Sequence, residues 1–172
     1  MPNVPIYFLP GTNIHVLAPR KDLDFFDSQS IDLSQNITPL QAWNIVVSQP
    51  SPLLKTAFQV RDTISAWFGV QRIGGFSGTV PINPKVGEKI DFFLIEEISS
   101  NNLTLTQRDK HLDVMTCISI SQNELSITSS VKTHNVFGRL YMLPVAPAHR
   151  LIVRNNLKQI KSELLKSTKG IG

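Results

Sequence analysis

The sequence lacks most of the signals by which a chain announces its chemistry. It has a single cysteine, Cys117, so no disulfide can close within it, which fits a reducing, cytoplasmic setting. No apolar run approaches the roughly 20 residues needed to cross a bilayer. Met1–Ile14 has no basic residue ahead of an apolar stretch, so no secretory leader is expected. There is no Gly-x-Ser-x-Gly elbow and no Gly-x-Gly-x-x-Gly fingerprint. The glycine-rich stretch Gly74-Gly75-Phe76-Ser77-Gly78 lacks the lysine and spacing of a P-loop and reads as a turn or a cavity lid. These absences argue against nucleophilic hydrolysis and nucleotide chemistry, and no cofactor is expected.

What is present is an ordinary globular balance. With 172 residues, 41% hydrophobic and 17% charged, the chain can bury a sizeable core as one domain. Residues 1–22 hold Pro2, Pro5, Pro10, Gly11 and Pro19 and read as an irregular arm before a single domain over residues 23–172. The net charge of +4 is unevenly placed. From Pro147 onward six basic residues face Glu163 alone, a net of +5, which leaves −1 for the rest of the chain. No aromatics interleave with this basic stripe, so it reads as a solvated helix face, with neither nucleic acid nor membrane expected as a partner.

Helix starts are the clearest local signals. Thr38 and Gln41 form a capping box around Pro39 at the first helical position. Leu40, Trp43 and Val47 then share a face until Gln49-Pro50 stops the helix. Ser51-Pro52 opens a second helix through Leu53, Ala57, Ile64, Trp67 and Phe68, with Gly69 as its stop. Strands are expected at Phe25–Leu33, Lys89–Ile98, Leu103–Arg108, His111–Ile120, Leu125–Thr133 and Arg139–Val145, joined by short polar turns and therefore antiparallel. A last helix is expected from Pro147 to Leu165, with Val153, Leu157, Ile160 and Leu164 as its apolar stripe.

The fold class is thus α+β: strand, two short helices, an antiparallel sheet and a long C-terminal helix that can cover it. This order is that of the helix-grip fold of START-like and Bet v 1-like proteins, in which a curved sheet wraps the last helix and often leaves a cavity. Particular segments carry a further resemblance: Asp24-Phe25-Phe26-Asp27-Ser28, Arg61, Asp109-Lys110-His111-Leu112-Asp113, Val131-Lys132-Thr133-His134-Asn135, Gly138-Arg139-Leu140-Tyr141 and Val145-Ala146-Pro147-Ala148-His149-Arg150. Together they resemble the bacterial family called domain of unknown function 2867, over roughly Asp22 to Leu165. Val114-Met115 stands where that family more often has an aromatic-arginine pair. Some members resemble C-terminal extensions of short-chain-dehydrogenase-like domains, which implies a possible reductase-like partner.

Two residues apart on a strand, His111 and Asp113 share a face, which Met115, Cys117 and Ser119 continue. Leu112, Val114, Ile118 and Ile120 form the other face, which should be the better buried unless the polar one lines a cavity. Two readings stand. His111, Asp113, His134, Arg139 and His149 hold the polar end of a ligand at a cavity, with Met115, Tyr141 and Trp67 as apolar contacts. Alternatively they form a structural network in which Asp113 pairs Arg139 or orients a histidine. His111, Asp113 and either His134 or His149 also resemble an iron triad, but a long terminal helix argues against the jelly roll that usually carries one, and no metal is expected. The preferred function is binding of a small, mostly apolar molecule; the alternative is a cyclase- or isomerase-like enzyme with His111 or His134 as general base oriented by Asp113.

Overall fold

The computed structural model describes residues 5–67, 75–78 and 81–169. The chain is α+β: a six-stranded antiparallel sheet packs against a long C-terminal helix, with two shorter helices nearer the N-terminus. Strands β1 (Tyr7–Phe8) and β2 (His15–Val16) form a small hairpin, and β3 (Phe25–Asp32) follows. Helices α1 (Pro39–Ser48) and α2 (Pro52–Trp67) come next, then β4 (Lys89–Ile90), β5 (Phe93–Ile98), β6 (Asn102–Arg108), β7 (Leu112–Ser121), β8 (Glu124–Thr133) and α3 (Val136–Lys169). The sheet order is β3-β8-β7-β6-β5-β4, so the last five strands form a meander and β3 closes on β8.

The local signals act as expected where the chain itself supplies the partners. Thr38 N donates to Gln41 Oε1 at 2.7 Å and Gln41 N donates to Thr38 Oγ1 at 3.2 Å, so the capping box is complete. Leu54 N donates to Ser51 Oγ at 3.2 Å and opens α2. Gln122 and Asn123, with φ of 49° and 65°, make the tight β7–β8 turn that their polarity announces. Gly69, the expected end of the second helix, lies outside the described residues.

Three expectations are corrected. Arg139–Val145 is helix and not strand: α3 begins eleven residues earlier than the expected Pro147. Its start is set by Asn135, whose Oδ1 accepts from Gly138 N at 3.0 Å as an N-cap. Phe137, Tyr141, Met142, Val145 and His149 then recur at helical spacing toward the sheet, a pattern that an apolar heptamer read alone does not reveal. Pro144 and Pro147 lie inside this helix and cannot donate to the carbonyls of Leu140 and Leu143. Those two residues are exposed, so solvent can serve their carbonyls. Next, the single strand expected at Lys89–Ile98 is a hairpin, because Asp91 takes a φ of 55° and reverses the chain between β4 and β5. Finally, the N-terminal arm is not irregular throughout, since β1 and β2 pair and Val16, Leu17 and Ala18 are buried.

The arm and the helices cover opposite faces of the sheet. On the arm face, Leu17 N donates to Ser130 Oγ at 3.1 Å and His15 N to Cys117 Sγ at 3.4 Å. His15 Nδ1 lies 2.9 Å from Thr104 Oγ1 and 3.0 Å from Glu97 Oε2. On the helix face the apolar core divides into two clusters. One joins Trp43, Val46 and Val47 of α1 to Ile118, Leu125 and the Val153–Leu164 stripe of α3. The other joins Phe25, Leu112, Val131 and Met142. Among the described residues no helix is long and apolar enough to cross a membrane.

Candidate functional site

Both clusters contribute walls to one partly open cavity, of about 430 Å³, between the helix face of the sheet and helices α1, α2 and α3. The strand contribution follows from register. Phe25 lies opposite Val131, which lies opposite Val114, and all three side chains line the space. Along β7 the lining residues are Leu112, Val114, Thr116 and Ile118, every second position. Helix α3 contributes Phe137, Tyr141, Met142, Val145, His149 and Asn156.

The face of β7 that looks into the cavity is therefore the aliphatic one. Asp113 and Met115 point the other way. Met115 is fully buried beneath the arm, between Thr106 and Ser130, and touches no part of the cavity wall. Asp113 Oδ1 lies 3.2 Å from His134 Nε2, and this pair stands apart from the cavity. Arg139 is exposed on α3 and does not line the space. Of the expected site residues the fold brings His111, Tyr141 and His149 to the cavity. Trp67 ends α2, and its side chain is not among those described. His111 reaches the wall because it precedes β7 rather than belonging to its alternation.

Hydrogen bonds orient His111. Asn135 Nδ2 donates to Lys110 O at 3.0 Å and approaches His111 Nδ1 at 3.0 Å, while Asn135 Oδ1 is taken by Gly138 N. Asn135 Oδ1 also lies 3.3 Å from His111 Nδ1, so the Asn135 amide meets that nitrogen through both of its polar atoms and orients the ring. The ring also packs edge-on against Phe137 at 4.5 Å. Asp109 Oδ1 accepts from His111 N at 2.7 Å and Leu112 N at 3.0 Å, holding the turn that delivers the histidine.

His149 sits beside the Phe25 ring, with centroids 5.6 Å apart. Burial pushes its pKa below the ordinary 6.5; Asp27 pulls it back up and Arg150 lowers it further. The next residue, Arg150, reaches back to β3, its Nε 3.6 Å from Asp27 Oδ1. Gln29 Nε2 bridges this contact, donating to Asp27 Oδ2 at 2.7 Å and to Arg150 O at 3.0 Å. The middle of α3 is thereby held against the sheet edge next to the cavity.

Among the described residues, four buried polar atoms on the cavity-lining side chains have no hydrogen-bond partner: Trp43 Nε1, His111 Nε2, His149 Nδ1 and Asn156 Oδ1. Asp91 Oδ2 and Thr133 Oγ1, on residues outside the cavity wall, share this condition. Sequence reasoning missed Asn156 and treated Trp43 as core. A signal existed for Asn156: it falls seven residues after His149 and three after Val153, a polar residue at the spacing of a buried stripe. Among the described residues no three His, Cys, Asp or Glu side chains are grouped to hold a metal.

Comparison with protein families matches the chain to the model described as "Protein of unknown function (DUF2867)", over residues 20–156. The chain belongs to this family. The matched span runs from the end of the arm to Asn156, so it takes in the described cavity-lining residues of this DUF2867 domain. No functionally curated protein matches the chain.

Proposed function

We propose that this DUF2867 protein binds a small, mostly apolar molecule in the cavity between sheet and α3, on a domain of the helix-grip kind. The observation that carries the reading is the mostly apolar wall of this pocket, lined by Leu112, Val114 and Ile118 of β7 and by Phe137, Tyr141 and Val145 of α3. The volume of about 430 Å³ falls in the range of small-molecule sites, roughly 300–1,000 Å³. A His–Asp general base at this cavity finds no support, because His134 and Asp113 pair away from it and His111 is held by Asn135.

Native mass spectrometry of the purified protein, with titration of the apolar dye Nile red, tests the proposal. Val114→Phe puts a ring into the space from a strand position that tolerates it. A small-molecule adduct or saturable dye uptake in the wild type, cut at least tenfold by Val114→Phe in a folded variant, supports the reading. No adduct, and dye uptake that is absent or indifferent to Val114→Phe, overturns it.

A further inference from the structure

The outward side of α3 carries a feature that the cavity does not explain. Val136, Leu140, Leu143, Pro147 and Leu151 recur at intervals of three or four residues and form one ridge. The ridge faces solvent: Val136 is 67% exposed, Leu140 59%, Leu143 70% and Leu151 55%. Isolated exposed leucines are ordinary, but an aligned row of them on one helix is not. Exposed Arg154, Lys158 and Lys161 extend the same ridge, and exposed Arg139 and Arg150 flank its apolar part. No acidic residue occurs from Val136 until Glu163.

We infer that the outer ridge of α3, from Val136 to Lys161, is a docking surface for an anionic lipid membrane. The charge decides against a second copy of the chain, because two such ridges would bring cation against cation. The unbroken basic character of the ridge, with no acidic residue before Glu163, favours an anionic lipid surface over a grooved protein partner. The apolar side chains stand on the convex back of a single helix, where a fluid surface can accept them while anionic headgroups meet the arginines and lysines. The sequence reading expected no membrane partner because no aromatics interleave with the basic stripe, which it took as a solvated helix face; with residues 139–145 on the same helix, exposed leucines continue that stripe. The opposite side of this segment, at Phe137, Tyr141, Met142 and Val145, lines the cavity. Docking would therefore set the ligand space one helix away from an apolar phase.

Co-sedimentation with unilamellar vesicles tests this. Vesicles of phosphatidylcholine with phosphatidylserine should bind the protein, and vesicles of phosphatidylcholine alone should bind it far less. Binding should weaken as screening tightens from about 30 Å at 0.01 M to about 8 Å at 0.15 M ionic strength. Arg154→Gln and Lys158→Gln should each weaken it about fivefold. Leu140→Gln and Leu143→Gln, at exposed positions that leave the fold intact by circular dichroism, should each weaken it about tenfold. Failure to sediment with the anionic vesicles at low salt overturns the inference. So does binding indifferent to the leucine changes, which would be adsorption by charge alone. A concentration-dependent dimer in light scattering, dispersed by the leucine changes, also overturns it and assigns the ridge to a second copy.

Discussion

Gly138, in the first turn of α3, lies against the backbone of His111: a Cβ placed on it would stand 2.4 Å from the His111 carbonyl oxygen and 3.3 Å from Thr133 Cβ. The same oxygen accepts from His134 N at 2.8 Å, so it has little room to move. The requirement is steric, since Gly138 is not among the glycines with positive φ. Gly138→Ala should cost about 1–3 kcal/mol, read as a lower urea midpoint. It should also weaken ligand uptake, because the turn it displaces delivers His111 to the cavity.

His149 makes stability depend on pH. Its pKa is lowered in the folded protein, mainly by burial, so the unfolded chain binds the proton more readily. Its contribution is complete above the unfolded value near 6.5 and is lost as pH falls below it toward the folded value. The slope from one such group cannot exceed about 1.4 kcal/mol per pH unit. Comparing urea midpoints at about pH 7.5 and about pH 5.5 should show a smaller acid loss in His149→Gln than in the wild type. Equal losses would mean that His149 does not titrate in this window.

Asp113 and His134 meet at 3.2 Å, with side chains 17% and 38% exposed, on the side of β7 away from the cavity. A pair this open to solvent contributes little. Asp113→Asn should change stability by less than about 1 kcal/mol and leave dye uptake unaltered. A loss of uptake as large as that from Val114→Phe would return the functional site to this pair.

Cys117 is fully buried under the arm, and burial raises its thiol above 9.0, partly opposed by its hydrogen bonds from His15 N and Thr104 Oγ1. A protonated, enclosed thiol is a poor nucleophile. Labelling by a thiol reagent at neutral pH should run at least about 100-fold slower in the native protein than in urea, because it waits for opening. Fast native labelling would show that the β1–β2 arm lifts readily from the sheet.

Much of the fold was legible wherever neighbours in sequence are also neighbours in space. The Thr38–Gln41 capping box, the Ser51-Pro52 helix start and the Gln122-Asn123 turn are made by groups within a few residues of one another. The candidate site was legible only in part. His111 was singled out through its shared strand face with Asp113, and His149 as a further polar contact; both reach the cavity. Met115 and Asp113 did not, because a two-residue period shows which side chains share a face and not which face the helices cover.

By itself, then, the sequence determined the α+β class, the meander, the first two helix starts and the concentration of positive charge toward the C-terminus. Those follow from local hydrogen bonds, turn chemistry and composition. Tertiary structure alone decided that Arg139–Val145 joins α3, that β7 turns its aliphatic face to the cavity, and that Leu140 and Leu143 face solvent. The physical reason is common to all three. An apolar residue gains about as much from one dry neighbour as from another, so its conformation and direction are set by which partner the remaining chain brings to it.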